Sequence, residues 1–206
     1  MKAQTDLSDG ELLQSMLAGD EEALAALYRR RQGGVYRFAL QMCGSQAVAE
    51  DVTQEVFMVL MREGDTYDPA RGSLAAFLIG VARNYVLRRL RRERFYVSID
   101  ADSASEAANN HRSLTTGGPL DQLSTTETIE SVRRAVLALP EKYREVVVLC
   151  DLEEMSYVEA AEILSCAVGT VRSRLHRGRA LLIEKLRPAQ EEETTQAATK
   201  AARCFA

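Results

Sequence analysis

Residues 167–186 have the periodicity of an α-helix whose two faces differ in chemistry. At about 100° per residue, apolar side chains fall on one stripe and cations on the other. A surface helix usually mixes charge signs on its solvent face. We therefore expect one face to pack on its own domain and the other to reach bases or phosphates of DNA. The apolar stripe contains Val171, Leu175, Gly178, Leu182 and Leu186, and the opposite face contains Arg172, Ser173, His176, Arg177 and Arg179.

The residues immediately upstream complete the pattern of a helix-turn-helix. Ser156 can cap a helix over residues 157–164, and Glu159 stands three residues later, as a capping box requires. Small alanines on the inner side of this helix allow a second helix to cross it closely, after a turn at residues 165–169. A basic helix pair without a DNA-binding role is the alternative interpretation of this segment alone.

The net charge of −4 does not by itself suggest a nucleic-acid-binding protein, but the charge is unevenly distributed. Acidic residues are concentrated near the start of the chain and at residues 191–193. Arginines are concentrated in two blocks, residues 83–94 and 172–187. Because clustered cations gain most from releasing the counterions of DNA, the two blocks predict two DNA-contacting surfaces.

Helical periodicity dominates the chain, and no segment alternates in polarity as a strand does. The sequence therefore predicts an all-α fold of two small helical domains joined by a flexible linker. The first domain is expected over residues 10–96, the linker over 97–126 and the second domain over 127–187. Residues 188–206 are polar, and we expect a disordered tail. The predicted helices cover residues 12–18, 21–31, 35–43, 47–62, 74–94, 127–138, 141–150 and 157–164, and the last helix starts at residues 169–170.

The cysteines and the first residues of the chain bear on cofactors and location. The chain has no CxxC pair and no histidine at zinc-finger spacing, so we expect reduced thiols, no metal site and no cofactor. The start, MKAQTDLSDG, lacks the apolar centre of a signal peptide, and no apolar run is long enough for a membrane span. We therefore expect a cytoplasmic protein without membrane insertion. The cysteines are Cys43, Cys150, Cys166 and Cys204.

The predicted helix over residues 47–62 carries methionines beside carboxylates on the side opposite its valine stripe. Methionine adapts to the surface of a partner, and an apolar patch rimmed by charge is typical of an interface. Two interpretations remain open, a partner-binding face or a helix packed on two sides within its bundle. The valines are Val48, Val52, Val56 and Val59; the opposite side has Asp51, Gln54, Met58 and Met61, with Glu55 and Phe57 at its flanks.

The predicted helix over residues 74–94 combines an apolar stripe with six arginines in its C-terminal half. Aromatic and amide groups beside cations suit single-stranded DNA, because bases stack or form hydrogen bonds while arginines follow the phosphates. The alternative is a core phenylalanine with arginines that stabilise the helix C-terminus. The stripe contains Leu74, Leu78, Val81 and Tyr85, and Phe77, Asn84 and Leu87 lie to one side of it. The arginines are Arg83, Arg88, Arg89, Arg91, Arg92 and Arg94.

Three segments together resemble the group IV, or extracytoplasmic function (ECF), sigma factors of the bacterial sigma-70 superfamily. AEDVTQEVFMVLMR is similar to the core-polymerase-binding helix of sigma domain two, and YDPARGSLAAFLIGVARNYVLRRLRR to its promoter-melting and minus-ten segment. LPEKYREVVVLCDLEEMSYVEAAEILSCAVGTVRSRLHRGRALL resembles sigma domain four, which reads the minus-thirty-five element. The resemblance covers nearly the full chain apart from the linker and the tail.

The resemblance implies a role for each matching residue. Asn84 corresponds to the asparagine at the minus-ten element, where a non-template base is flipped into a pocket formed in part by the loop 67–73. The implied core-polymerase-binding residues are Asp51, Gln54, Glu55, Phe57 and Met58. The implied minus-ten residues are Tyr67, Arg71, Ser73, Phe77, Arg83, Asn84, Arg88 and Arg91. The implied minus-thirty-five residues are Arg172, Ser173, His176 and Arg177 in the major groove, with Thr170 and Arg174 on the DNA backbone.

The function implied by the resemblance is that of an alternative sigma factor with no catalytic chemistry. Such a protein binds core RNA polymerase and promoter DNA, and an anti-sigma protein is its expected inhibitor. A conventional helix-turn-helix regulator with an N-terminal partner-binding domain is the alternative. A nucleic-acid enzyme is not supported, because the sequence has no carboxylate cluster, His-Cys set or glycine-rich phosphate loop.

Overall fold

The computed structural model describes residues 7–100 and 121–203, with side chains over 7–92 and 128–187. Regular structure within these residues is helical, without a strand, so the all-α prediction is confirmed. The helices are α1 (Asp9–Leu17), α2 (Glu21–Cys43), α3 (Gln46–Glu63), α4 (Leu74–Asp100), α5 (Asp121–Leu137), α6 (Glu141–Val147), α7 (Tyr157–Ile163) and α8 (Val168–Arg203). Short 3-10 turns, Gly64–Thr66 and Pro69–Arg71, lie between α3 and α4, and a π-helical turn, Val148–Leu152, follows α6.

Side-chain caps set the first residue of several helices. The Ser45 hydroxyl accepts a hydrogen bond from the Val48 amide at the start of α3. Ser73 does the same for α4 through the Ala76 amide. The C-terminal end of α2 is capped by Gly44, which adopts a left-handed φ of 74° that a residue without Cβ reaches at little cost. Local sequence therefore defines these helix ends.

One helix is longer than the sequence predicts. The pair Gly33-Gly34 indicated a break between two helices, but α2 runs through it without interruption. Glycine costs about 1 kcal/mol in a helix interior relative to alanine. Leu27, Val35 and Phe38 lie on either side of the pair and are all buried in the core, so tertiary packing outweighs this local cost.

Helices α1–α4 form the first bundle, with α2 packed against the other three. Its centre contains fully buried apolar side chains from every helix, so burial of these groups is the main stabilising contribution. They include Leu12 of α1, Leu27, Phe38 and Met42 of α2, Val52, Val56 and Leu60 of α3, and Leu74, Leu78, Ala82 and Val86 of α4.

Helices α5–α8 form the second bundle, in which α8 packs against α5, α6 and α7. Gly178 allows the close approach of α8 to α6, since a Cβ atom added there would lie 2.9 Å from Val147 Cγ2 and 3.4 Å from the Tyr143 carbonyl oxygen. The buried apolar residues of this bundle include Val136, Leu139, Val146, Leu149, Ala160, Leu164, Val171 and Leu175.

Several helix boundaries differ from the sequence predictions. Helix α4 extends to Asp100, and α5 begins at Asp121 rather than at residue 127, while residues 101–120 of the predicted linker lie outside the described residues. Helix α8 continues to Arg203 through most of the segment for which we expected disorder. Extending an existing helix avoids the cost of nucleating a new one, and the alanines, glutamines and glutamates of the tail are good helix formers, whereas Pro188 contributes no amide hydrogen bond.

The two bundles pack directly against each other. Helix α4 contacts α7, and α2 contacts both α5 and the π-helical turn. Buried apolar residues of both bundles belong to one continuous core. The relative position of the two bundles therefore determines which polar faces are covered and which remain open.

Candidate nucleic-acid interface

The recognition face is the outer side of α8, formed by Thr170, Arg172, Ser173, Arg174, His176 and Arg177. Arg172, Ser173, His176 and Arg177 are exposed, whereas Val171 and Leu175 on the inner side are buried. Thr170 and Arg174 are half-buried at the edge of this face. The division into an apolar and a cationic side, predicted from periodicity, is confirmed.

The helix preceding the recognition face is also capped as predicted. The Ser156 hydroxyl accepts from the Glu159 amide at 3.2 Å, and the Glu159 carboxylate accepts from the Ser156 amide at 3.1 Å. Buried Ala160 and Ala161 let α8 cross α7 at close range. The turn between the helices contains Ser165 in a left-handed conformation, with a φ of 50°. These features are those of a helix-turn-helix.

Neighbouring side chains hold three of the α8 arginines. The Arg172 guanidinium lies 5.8 Å from the centre of the Tyr157 ring, within the range of a cation–π contact. A hydrogen bond from Arg177 lowers the pKa of Tyr143. Arg179 donates to both carboxylate oxygens of Asp151, at 3.0 and 2.5 Å. Asp151 therefore neutralises Arg179, which the helical wheel had grouped with the DNA-facing cations.

The second cationic surface, here called the α4 face, comprises the loop 67–73 and the polar side of α4. Tyr67 supports the loop, because its hydroxyl donates a hydrogen bond to the Gly72 carbonyl at 3.0 Å. Its ring also packs edge-on against that of Phe77, with 5.7 Å between the two ring centres. Burial raises the pKa of Tyr67, with Asp9 and Asp68 adding to the shift. Gly72 has a φ of 145°, which favours glycine. Of the predicted residues here, Arg71, Ser73, Asn84, Arg88 and Arg91 are exposed, and Tyr67, Phe77 and Arg83 are half-buried.

The arginines of α4 differ in their surroundings. Arg89 forms an ion pair with Asp51 of α3, and Arg88 lies 5.2 Å above the Tyr85 ring. Arg83 forms an ion pair with Glu145 of the second bundle. The arginines of α4 look alike in the sequence, but the charges of Arg83 and Arg89 are partly neutralised by carboxylates, whereas Arg88 and Arg91 are exposed.

The α3 face consists of Asp51, Gln54, Glu55, Met58 and Met61, all of which are exposed. Of the two interpretations left open by the sequence, this exposure excludes a helix packed on both sides within its bundle. Met58 and Met61 are 48% and 43% exposed and lie three residues apart on the helix, so they form a small apolar patch bordered by polar side chains. Phe57, expected at the flank of this face, is instead 4% exposed, with its ring 4.7 Å from that of Tyr28. Because α2 covers Phe57, this residue packs α3 against α2 and is not part of the exposed α3 face.

Sequence reasoning missed three carboxylates of the second bundle that contact the first. Glu145 accepts a hydrogen bond from Arg83 of α4, and Glu159 accepts one from Ser73 at the start of α4. Glu153 accepts a hydrogen bond from Arg37 of α2. Burial raises the pKa of Glu153, and the nearby Arg37 opposes that shift. The sequence contains one indication of a buried carboxylate, since Glu145 directly precedes the apolar run Val146-Val147-Val148.

Other kinds of site are not indicated within the described residues. No group of three or more potential metal ligands occurs among them. Cys43, Cys150 and Cys166 are half-buried and not joined to one another by disulfides, and Cys204 lies outside the described part of the chain. None of the described helices combines the length and apolar character needed to cross a bilayer.

Comparison with known proteins matches both bundles to one family. Residues 27–96 match sigma-70 region 2, and residues 129–182 match sigma-70 region 4. The ECF RNA polymerase sigma factor SigW of Bacillus subtilis is 33% identical, over 82% of this chain and 91% of its own length. The ECF RNA polymerase sigma-E factor of Escherichia coli K12 is also 33% identical, over 88% and 96% of the two chains.

A solved structure is similar over the same regions. The sigma factor RpoE of Bartonella quintana, crystallised in complex with the anti-sigma factor NepR, has a TM-score of 0.60 to this chain at 26% identity. The similarity covers 76% of this chain and 91% of that one. The fold described above therefore occurs in a solved structure as well.

Proposed function

Because the chain belongs to the family of ECF RNA polymerase sigma factors, we propose that it is a dissociable subunit that directs bacterial RNA polymerase to specific promoters. The observation that carries this proposal is the presence of two cationic faces on two different bundles, one on a helix-turn-helix and one on α4. A single-site DNA-binding protein needs only one of them. The α3 face adds a third surface, suited to a protein partner.

The α3 face is the proposed binding site for core polymerase. Its carboxylates and amide surround two exposed methionines, so apolar contact and electrostatic complementarity are available together. Phe57 contributes in this proposal by fixing α3 against α2, because its own ring is buried. The proposed contact residues are Asp51, Gln54, Glu55 and Met58.

The α4 face is the proposed site of minus-ten recognition and melting. Exposed Asn84 supplies an amide that can form hydrogen bonds with an unpaired base. The loop 67–73 is proposed to form part of the pocket for that base. The cations that would follow the single-stranded backbone are Arg71, Arg83, Arg88 and Arg91. Phe77 and Tyr67 are packed against each other, which supports a role in shaping the loop.

The recognition face is the proposed reader of the minus-thirty-five element. A helix-turn-helix places its second helix in the major groove, where arginine can donate two hydrogen bonds to a guanine edge. Arg172 and Arg177 have the exposure that this contact needs, and Ser173 and His176 lie between them. Thr170 and Arg174, at the edge of the face, have positions suited to the phosphate backbone.

Control by an anti-sigma protein is part of the proposal, supported by the RpoE–NepR complex. We assign no catalytic activity to the chain, because its family consists of initiation factors. The proposed place of action is the bacterial cytoplasm, where RNA polymerase transcribes the genome.

Transcription by core polymerase on genomic DNA, with and without the purified chain, tests this function. The expected result is a set of new start sites that share upstream elements, mapped by sequencing the transcripts. Unchanged start sites would contradict the proposal. A gel shift then distinguishes the alternative, since a conventional regulator binds duplex promoter without core polymerase and a sigma factor requires it.

A further inference from the structure

Arg172 and Arg179 of α8 are held by neighbouring groups in ways that differ in what they leave free. Arg179 Nε and Nη2 donate to the two carboxylate oxygens of Asp151, so one edge of its guanidinium is occupied. Arg172 lies over the Tyr157 ring, with Cζ 5.8 Å from the ring centre. A cation–π contact holds a guanidinium through its charge rather than through its hydrogen-bond donors. Arg172 therefore keeps its donors for a base edge.

Arg177, the other arginine proposed to read a base, is held in a third way. It donates a hydrogen bond to the Tyr143 side chain, which uses one of its donors. The Tyr143 ring is not available for a second cation, because Lys142 Nζ lies over it, 5.0 Å from the ring centre. Of these three α8 arginines, Arg172 is thus the one that a neighbour holds without occupying its donors.

Local structure places Tyr157 beside the recognition face. It is the first residue of α7 and directly follows Ser156, whose capping box fixes the start of that helix. Buried Ala160 and Ala161 let α7 pack closely on α8. The Tyr157 side chain lies at the outer edge of this crossing and is 37% exposed. A ring with this exposure contributes little to the core, so its contact with Arg172 is a feature of the surface that faces DNA.

A guanidinium that is held before DNA arrives distinguishes bases better than a mobile one. Fixing the rotatable bonds of an arginine costs conformational entropy, and a contact made in the free protein removes part of that cost from binding. A mobile guanidinium can also turn to a phosphate, which carries no sequence information. Loss of the ring should therefore reduce the preference for one base more than it reduces the average affinity for DNA.

We propose that Tyr157 is a positioning residue for reading of the minus-thirty-five element, because its ring orients Arg172 toward a base edge. This inference rests on the proposed function of the recognition face. Tyr157 does not belong to the residues proposed to touch DNA, and its effect on promoter selection passes through Arg172. The ring carries this role, so the hydroxyl of Tyr157 is dispensable.

The test uses holoenzyme assembled from core polymerase and the full-length chain. The probe is a duplex promoter, identified by the start-site mapping, whose minus-thirty-five element is randomised. Sequencing of the bound fraction gives the relative affinity for each base at each position. Tyr157→Leu removes the ring, and Tyr157→Phe keeps the ring but removes the hydroxyl. The matched control is Val158→Ala, at the next residue of α7, which is exposed as well.

We expect Tyr157→Leu to lower the preference for the favoured base at one position about threefold, the order of effect of an exposed cation–π contact. Tyr157→Phe should stay within about 1.5-fold of wild type, because a phenyl ring also binds cations. Val158→Ala should match wild type. The average affinity over the library should change less than the preference does, since the phosphate contacts remain.

A double-mutant cycle shows whether Tyr157 acts through Arg172. The measured quantity is the affinity of holoenzyme for the favoured duplex. Tyr157→Leu should lower this affinity about threefold in the wild-type background and leave it unchanged in the Arg172→Ala background. An equal loss in both backgrounds would overturn the inference. A loss in Tyr157→Phe as large as that in Tyr157→Leu would overturn it too, because it would identify a direct contact between the hydroxyl and DNA.

Nuclear magnetic resonance on the free, full-length chain tests the contact without polymerase. Protons above an aromatic ring are shielded, so the side-chain protons of Arg172 should shift when leucine replaces Tyr157 and stay in place in Tyr157→Phe. Unchanged shifts in the leucine variant would overturn the inference. Tyr157→Gln, which also lacks the ring, replaces the leucine variant if thermal unfolding shows that the latter is not folded. Failure of the wild-type chain to direct transcription with core polymerase would instead contradict the proposed function.

Discussion

Arg89 Nη2 of α4 donates to Asp51 Oδ2 of α3 at 2.8 Å, an ion pair that joins the α3 face to the cationic helix beside it. Both side chains remain about half exposed, at 46% and 55%. An exposed pair of this kind contributes less than about 1 kcal/mol to stability. Asp51 can therefore be replaced without unfolding the first bundle, which makes it a suitable position for testing the proposed polymerase contact.

Replacing Asp51 and Glu55 by alanine should weaken binding to core polymerase and leave the fold intact. Both carboxylates lie on the exposed side of α3, so their loss removes charge from the interface without opening the core. Co-purification with core polymerase and thermal unfolding measure the two effects. The matched control is Glu21→Ala/Glu63→Ala, which removes two carboxylates from exposed positions of the first bundle outside the α3 face. If both double variants co-purify with core polymerase to the same extent, the α3 face is not the polymerase-binding site.

Arg172→Ala and Arg177→Ala should each cost about 1–3 kcal/mol of promoter binding by the holoenzyme, if the arginines make bidentate base contacts. The loss should depend on the base sequence of the minus-thirty-five element. Competition binding on a set of promoter variants measures this dependence. Arg134→Ala, at an exposed position of α5, is the control for the loss of one positive charge. An equal loss on every sequence would identify phosphate contacts instead.

Asn84→Ala should impair opening of the minus-ten region much more than binding to the minus-thirty-five element. Asn84 lies on the first bundle and the recognition face on the second, so the two steps use different surfaces. Permanganate reactivity of unpaired thymines measures opening, and a footprint over the minus-thirty-five element measures binding. Normal reactivity in this variant would exclude the proposed role of the amide.

Gly178→Ala should destabilise the second bundle by about 1–3 kcal/mol, the usual cost of overpacking a close contact. The added methyl group would lie 2.9 Å from Val147 Cγ2 and 3.4 Å from the carbonyl of Tyr143, and a backbone oxygen cannot easily move away. The control is Gly80→Ala in α4, where no atom lies within 4 Å, and there we expect a gain of about 0.5–1 kcal/mol. Urea unfolding measures both, and equal shifts would disprove the packing argument.

The contact between Ser73 and Glu159 should weaken in acid. The hydrogen bond from Ser73 lowers the folded-state pKa of Glu159, with Ser156 adding to the effect. A carboxyl with a lowered pKa stabilises the folded arrangement above its unfolded-state pKa, and this contribution is lost as pH falls through the lowered value. In the Ser73→Ala variant, an NMR titration should show the pKa of Glu159 closer to its ordinary value. No change would mean that the two bundles do not make this contact in solution.

Local sequence patterns were sufficient to predict much of this molecule. The capping box of Ser156 and Glu159 depends on residues three apart, and the two sides of α8 depend on helical periodicity alone. Both could therefore be read before any tertiary contact was known. The same holds for the exposed methionines of α3, whose position opposite the valine stripe follows from the helix period.

Features that depend on distant residues required the tertiary structure. Phe57 is buried because Tyr28 of α2 packs on it, and α2 remains continuous at Gly33-Gly34 because the residues around the pair lie in a shared core. The helical wheel assigned Arg179 to the DNA-facing side, but Asp151, 28 residues away, holds it.

The sequence by itself determined where most helices occur, the capping box of Ser156 and Glu159, and the cationic and apolar faces, since each depends on residues within a few turns of one another. The family resemblance followed from the order of three such segments along the chain. Only the tertiary structure decided which of those faces are accessible. Arg83 and Glu145 are 62 residues apart, and nothing in the local pattern of either helix indicates that they meet. Their contact is a consequence of how the two bundles pack, and packing depends on the shapes of whole surfaces rather than on the periodicity of any single helix.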